Sequence, residues 1–414
     1  MPKIFPKMEK SLVVVLGGGI QQTRCIRRCM KIGFRVCCFD INENCKGANV
    51  ADLFYRISIR NYSEILSVVS KLQNVVAILA PATEVGNRVA SIISAKLGLP
   101  YNSQEVIKRT TNKALMREKL DLLNLDNPKY FYLSGEIRNE LPSSLEENSL
   151  SYPCIVKPAD SSAGRGITFC NTPKDIKESV SYALKESHDS LVIVENIING
   201  PQFSLETLSF NGKHKLIAIA AQTMDLKEKH VEVGHILPAP ISKRNYSVLE
   251  KYAMDLLNGF EIKFGACHIE IRVVDQRIYT IDFASRMGGW RDLMIESVFG
   301  EIYIDAYVKS HFQNEVEIKN LESSFESFSV SEFCVARMAF NLEDIHLLND
   351  LKLEGKCEFA SVDQKVIEMN LNDIKGSLSN SAGHFLYKST LSNERSIVDK
   401  YKCVDLTKDF VNLR

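Results

Sequence analysis

The chain has 414 residues, enough for two or three domains with real hydrophobic cores, which excludes a small disulfide scaffold. Its 51 Lys and Arg balance 51 Asp and Glu, so it lacks the basic field that drives binding to a phosphate backbone, and nucleic acid is not an expected partner. At 45% hydrophobic and 25% charged the composition is that of a folded protein, and the longest early apolar run, Ser11 to Gly19, is about half of the roughly 20 residues a membrane span needs. The leader Met1 to Lys10 is basic without an apolar stretch before a cleavage site, so no secretory signal is expected. Eleven cysteines with no CxxC pair read as reduced thiols of a cytoplasmic protein, buried as small hydrophobes rather than gathered around zinc.

The first hundred residues alternate apolar runs with helical stretches. Leu12 to Leu16 ends in Gly17-Gly18-Gly19, a helix follows to Ile32, and Phe34 to Phe39 ends at Asp40. Tyr55 to Ile59, a helix over Tyr62 to Leu72, Val75 to Ala80 and a helix over Glu84 to Leu97 continue the pattern, which predicts a parallel sheet with crossover helices. The glycines, with Asp40 about 20 residues on, invite a dinucleotide reading and with it an NAD-dependent oxidoreductase. The third glycine of that template is replaced by Gln22, and the alternative is a tight strand-to-helix turn. Glu84 follows Ala80-Pro81-Ala82-Thr83 at the carboxyl end of a strand, where a carboxylate could receive an ammonium group or simply charge a helix N-terminus.

The middle of the chain carries the chemistry. In Tyr152 to Pro158, Lys157 is the one charge in an apolar strand, and it precedes a loop, Ala159 to Gly166, before a further strand over Ile167 to Cys170. Small residues there free backbone N–H groups for phosphate oxygens, with Lys157 and Arg165 supplying positive charge. Leu191 to Glu195 is an apolar strand ending in a carboxylate, and the backbone of Asn196 to Ile198 could read an adenine edge. Gln202 to Phe210, which contains Glu206, and His214 to Thr223 flank the hairpin signal Asn211-Gly212. Phe264 to Val274 alternates His268, Glu270 and Arg272 with isoleucines, so the three polar groups share one face. Across a turn centred on Gln276, Glu270 faces Asp282 in the strand Arg277 to Arg286, whereas a two-residue turn shifts that register by one. Facing carboxylates suit a Mg2+ ion, and a solvated strand face is the alternative. Further strands are expected over Phe328 to Phe340, Leu351 to Phe359 and His384 to Lys388.

Taken in order, these motifs resemble the ATP-grasp superfamily of carboxylate-amine ligases over roughly residues 11 to 320, in the branch of L-amino-acid ligases and carbamoyl-phosphate synthases. The resemblance implies an α/β protein: a Rossmann-like N-terminal domain (11–108), a two-lobed α+β ATP-grasp domain (109–322) with a mobile lobe near 128–196, and a small C-terminal domain (323–414). It also implies that ATP is bound by Lys113, Lys157, the loop residues Ser161, Ser162, Gly164, Arg165 and Gly166, the hinge residues Glu195, Asn196 and Ile198, and Gln202 in place of a ribose-binding acid. Glu270 and Asp282 hold Mg2+ or Mn2+, while Ala284 departs from an Asn that often adds a metal contact. Arg286, ahead of Met287-Gly288-Gly289, contacts the acyl phosphate as a catalytic residue with Lys157, and Glu84, Glu206, His235 and Arg286 face the substrate. The implied reaction joins a small carboxylate, an amino acid, to an amine through an acyl phosphate with release of ADP and phosphate. The partners are then small molecules and no membrane, with a homodimer expected from similar ligases. The alternative is a non-catalytic nucleotide-binding sensor or scaffold of the same fold.

Overall fold

The computed structural model describes residues 11–135, 150–161, 164–225, 231–301, 303–312, 333–339, 342–362 and 383–389. The N-terminal unit runs β1 (Leu12–Leu16), α1 (Ile20–Lys31), β2 (Arg35–Phe39), β3 (Leu53–Tyr55), α2 (Tyr62–Val69), β4 (Val75–Leu79) and α3 (Glu84–Leu97), with the parallel strands ordered β3-β2-β1-β4. β1 is apolar throughout because both its faces are covered: Val13 and Val15 pack with Cys25, Ile26 and Cys29 of α1, and Val14 and Leu16 with Ile65, Val69, Ala90 and Ile93 of α2 and α3. The strand expected over Tyr55 to Ile59 lies earlier, at Leu53–Tyr55. Its partner β2 ends at Phe39, opposite Tyr55, so the ladder has nothing further to pair with.

Helices α4 (Gln104–Arg109) and α5 (Lys113–Leu122) lead to a second, antiparallel sheet of β5 (Tyr130–Ser134), β6 (Cys154–Pro158), β7 (Thr168–Cys170) and β8 (Leu191–Asn196), in the order β5-β8-β6-β7. α6 (Ile176–Glu186) covers it through Ile176, Val180 and Ala183.

The third sheet has eight strands. It is built from β9 (Gln202–Phe210), β10 (Lys213–Asp225), β11 (Val231–Leu237), then after α7 (Lys243–Gly259) β12 (Phe264–Val274) and β13 (Arg277–Ala284). After α8 (Arg291–Phe299) and α9 (Tyr303–Lys309) come β14 (Phe333–Ala339), α10 (Leu342–Leu353), β15 (Cys357–Val362) and β16 (Gly383–Ser389). The strand order is β13-β12-β9-β10-β11-β14-β16-β15, so the described strands beyond residue 323 extend this sheet rather than forming one of their own. The strand expected over Leu351 to Phe359 is corrected: its first residues close α10, Gly355 turns the chain at φ +69°, and β15 begins at Cys357.

Phe203, Leu205, Ile269, Ile271, Ile278 and Phe283 face a core shared with Leu249, Tyr252, Ala253 and Leu256 of α7, leaving Gln202, Ser204, Glu206, His268, Glu270 and Arg272 to the opposite face. The hairpin of β12 and β13 turns on Asp275 and Gln276, both at positive φ, and pairs Val274 with Arg277. That two-residue turn alone would set Glu270 opposite Ile281. Between Thr280 and Asp282 the register shifts by one, Ile281 being the extra residue of a β-bulge, and Glu270 pairs with Asp282. The bulge also reverses the alternation of sides, so that Ile278 and Phe283 both reach the core and Asp282 stays on the polar face.

Every cysteine among the described residues is a free thiol, and all but Cys357 are buried. No helix among the described residues is long and apolar enough to cross a membrane.

Candidate active site

The polar face of the large sheet meets the second sheet along α5. Asn112 caps that helix, its side chain accepting from the Ala114 and Leu115 amides. Lys113, in the first turn, donates from Nζ to the Ser161 carbonyl at 3.0 Å and lies 3.4 Å from Asp282. Burial alone would lower its pKa; Asp282, Glu84 and Glu270 outweigh that and raise it. One turn on, Arg117 has no exposed surface, and its guanidinium grips both oxygens of Glu195, Nε to Oε2 at 2.9 Å and Nη2 to Oε1 at 3.2 Å. Lys157 bonds the same carboxylate from β6. Burial would raise the pKa of Glu195, but Arg117 and Lys157 hold it at about 2. Two cations thus share one carboxylate, leaving a net positive charge beside the loop that follows β6.

That loop is anchored at both ends. Asp160 accepts from the Ser187 hydroxyl and from the amides of His188 and Asp189. Gly166, at φ +73°, sits where a Cβ would come within 2.5 Å of Pro158. Gly164 shares the positive φ, Arg165 is exposed, and Ser161 is buried, whereas Ser162 lies outside the described residues. In the hinge, the Asn196 side chain accepts from the Ser151 amide and the Ile198 carbonyl from Arg272 at 2.6 Å.

Rows of side chains cross the strands. His235, Gln222, Gln202 and Arg272 stand in successive register on β11, β10, β9 and β12, and the next rows hold Ser204, Glu270 and Asp282, then Glu206, His268 and Ala284. Gln202 donates to Glu270 at 3.2 Å and accepts from Arg272 at 2.8 Å, so its amide is directed at the carboxylate row. His268 donates from Nδ1 to Glu206 at 2.7 Å and from Nε2 to Glu270 at 3.2 Å. Burial opposes its charge, but the two carboxylates lift its pKa to about 9. Glu270, with further donation from Gln222, falls to about 2 against its burial.

Glu206 has no exposed surface; it also takes Arg291 at 3.0 Å. Arg291 donates from Nη2 to His235 Nδ1 at 2.8 Å, and burial with that cation keeps His235 neutral. Its remaining nitrogen, Nε2, faces Glu232, whose pKa burial pushes up to about 7. Gly288 is hemmed in by Arg291, His268 and Glu206, which a Cβ would approach within 2.5, 2.7 and 3.1 Å.

The N-terminal unit closes the arrangement. Glu84, first residue of α3, pairs with Arg286 at 2.8 Å, and Arg286 also donates to the Met287 carbonyl. Asn87 donates to the Ser285 carbonyl at 2.9 Å. The Gly17–Gly19 turn is filled by protein: Asp40 accepts from the Gly18 amide at 2.7 Å, and Gln22 folds over the turn to donate to the Pro81 carbonyl at 2.7 Å. The Gly18 amide and both oxygens of Asp40 are thus engaged within the protein.

Residues 150–293 match the family model of the ATP-grasp domain. That segment, about a third of the chain, carries the ATP-grasp likeness. The chain is 25% identical over 264 residues to a D-alanine–D-alanine ligase of Thermosipho africanus, covering 59% of this chain and 65% of that protein. It is 26% identical over 190 residues to a formate-dependent phosphoribosylglycinamide formyltransferase of Methanocaldococcus jannaschii, covering 45% and 47%. The chain therefore spans about half to two thirds of these relatives' lengths. In fold it is similar to an L-amino acid ligase from Bacillus licheniformis, with TM-score 0.73 at 15% identity over 96% of this chain and 98% of that one. An ADP complex of N5-carboxyaminoimidazole ribonucleotide synthetase gives TM-score 0.71 at 15% identity, covering 98% of each chain.

Sequence reasoning missed four members of this polar cluster: Arg117, Gln222, Glu232 and Arg291. Arg117 had a signal, since it stands four residues after Lys113 on one helical face. Gln222 is a lone amide ending the apolar run of β10. Glu232 and Arg291 become visible only when the strands and α8 are brought together.

Proposed function

We propose that the chain is an ATP-dependent carboxylate-amine ligase that activates an amino acid as an acyl phosphate and joins it to an amine. The observation that carries this reading is the convergence on Lys113: it touches the Ser161 end of the glycine loop and Asp282 of the carboxylate row, and the charges of Glu84 and Glu270 act on it. Phosphate-binding cations, metal-binding carboxylates and a substrate-facing pair, Glu84 with Arg286, are then within reach of one nucleotide. Lys157 and Lys113, with the amides of the loop, hold the phosphates. Backbone groups of Asn196 to Ile198 receive the adenine, and Gln202 lies beside them.

Glu270 and Asp282 fit Mg2+ or Mn2+: both donors are oxygens, and Asp282 is 37% exposed toward the cleft. Among the described residues no cluster of three or more His, Cys, Asp or Glu could hold an ion alone. The pair is thus an incomplete set that phosphate oxygens and water complete, as is usual for nucleotide-bound magnesium. Such an ion would neutralise charge on the phosphates. The substrate carboxylate attacks the γ-phosphorus and ADP leaves; the amine then attacks the acyl carbon, phosphate leaves, and the nitrogen loses a proton. Both steps gather negative charge on oxygen, and Lys157 and Arg286 stabilise it from fixed positions. Glu84 selects the amino acid, and His235, whose two nitrogens are held by Arg291 and Glu232, acts behind it together with Glu206, which reaches the site through Arg291 and His268.

The test is ATP-dependent phosphate release screened over pairs of amino acids. Release that requires both a carboxylate and an amine supports ligation. ATP binding with no release for any pair would instead favour a sensor or scaffold.

A further inference from the structure

Arg117 touches more than the nucleotide side. Besides both oxygens of Glu195, its guanidinium donates from Nη1 to the Thr280 carbonyl and from Nη2 to the Ile281 carbonyl at 3.5 Å. Those are the two residues at the bulge, and Ile281 is the inserted one. A bulge leaves backbone groups without ladder partners, and a buried carbonyl without a donor costs on the order of 1–3 kcal/mol. A planar fork with five N–H groups can serve a carboxylate on one edge and two carbonyls on the other, which an ammonium cannot. Thr280 is further tied by its hydroxyl to Tyr252 at 2.7 Å, and Asn127 donates to the Arg117 main-chain carbonyl at 2.8 Å, so the strand residue that the fork grips and the backbone that carries it are each held by a further bond.

We propose that Arg117 is a positioning residue that locks the Lys157–Glu195 pair of the small sheet to the bulge that presents Asp282 on the large one. The inference rests on the metal and phosphate assignments above, because its purpose is to keep those two half-sites at a fixed separation. A slip of the bulge by one residue would carry Asp282 to the core face and Phe283 out of it. Without the fork, Glu195 would keep only Lys157, and the Lys157 ammonium would lose the carboxylate geometry that aims it.

Three variants separate the two grips. Arg117→Lys keeps the charge and loses the fork, Arg117→Met loses both, and Glu195→Gln leaves the carbonyl contacts intact. Amide hydrogen exchange of residues 278–284 in the ligand-free protein is expected to speed up about tenfold or more in both Arg117 variants, with residues 35–39 and 75–79 unchanged, and to stay at the wild-type rate in Glu195→Gln. Mn2+ affinity in the presence of ADP, read by electron paramagnetic resonance, is expected to weaken about tenfold in Arg117→Lys. If Arg117→Met does not fold, Arg117→Lys alone carries the comparison. Wild-type exchange at 278–284 in a folded Arg117→Lys protein, or Mn2+ affinity within about twofold of wild type, overturns the proposal. Failure of the wild-type protein to bind ADP would strike the function proposed above, whereas the exchange result is independent of any ligand.

Discussion

An ammonium in an apolar strand is costly unless it has a counterion, and Lys157 has half of one, since Glu195 is shared with Arg117. An anionic ligand beside it completes the charge balance. Lys157→Met should therefore keep the fold, because Glu195 retains Arg117, yet weaken ATP by about 2 kcal/mol or more, which titration calorimetry would read as a loss of some thirtyfold. Unchanged affinity in the folded variant would remove Lys157 from the phosphate site. Its singular place was legible because one charge interrupts an apolar run; the burial of Arg117 was not, because α5 mixes charge and hydrophobe in the way any half-buried helix does, and only packing shows which charge is inside. A second residue-scale consequence concerns His311, which is buried against Tyr101 and Tyr307 and has its pKa pulled down to about 4 by desolvation. The folded value lies below the unfolded one near 6.5, so the unfolded chain takes up the proton first and stability is lost as pH falls from there toward 4. Between pH 7.5 and 5 that amounts to about 2 kcal/mol. Urea unfolding at the two pH values should show this loss in the wild type and about 2 kcal/mol less of it in His311→Gln; equal slopes would show that the imidazole is not the titrating group.

The hairpin of β12 and β13 illustrates how an element can be read correctly in outline and by the wrong route. Alternation along Phe264 to Val274 places His268, Glu270 and Arg272 on one face, and the facing of Glu270 and Asp282 was expected from a turn centred on Gln276. The turn is in fact the two-residue one that should have broken this pairing. The insertion of Ile281 restores it, and no residue type marks that position, because a bulge is fixed by what binds its free carbonyls from elsewhere in the fold. Under the metal assignment proposed above, two carboxylates on one face are expected to act as a unit. Asp282→Asn and Glu270→Gln should each raise the Mg2+ concentration needed for half-maximal phosphate release by about tenfold, and the double variant should be little worse than the worse single one. Multiplicative effects would mean that the residues act separately and that the strand face is merely solvated.

At the scale of the whole molecule the order of units was legible because each rests on local patterns: alternating runs for the parallel sheet, glycine loops and isolated charges for the rest. The joints between units were not, since they are made by residues far apart in sequence. Arg24 of α1 pairs with Asp292 at 2.8 Å and Glu296 at 2.6 Å, Arg28 with Asp305, and one hydrophobic cluster runs from Val13 and Val15 through Ile295 to Tyr303 and Tyr307. The N-terminal unit is thus fastened to α8 and α9, and its Glu84 end is fastened to the segment that carries Arg286. Asn87 makes that second joint together with the Glu84–Arg286 pair. It is 2% exposed, donates to the Ser285 carbonyl and hydroxyl, and accepts from the Tyr101 hydroxyl at 2.6 Å. Removing the amide leaves Tyr101 and Ser285 short of partners in the interior, a loss of about 2 kcal/mol. The Ser285–Arg286 segment is then held to the N-terminal unit through the Arg286–Glu84 pair without the Asn87 bonds, a looser tie, while Lys113, Lys157 and Glu195 are untouched by any bond that Asn87 makes. Asn87→Ala should therefore lower turnover and raise the Michaelis constant for the amino acid about tenfold, with ATP affinity within about twofold of wild type. Equal losses in ATP affinity and turnover would mean that the N-terminal unit holds the nucleotide itself, and the division of the cleft into a nucleotide side and a substrate side would have to be abandoned.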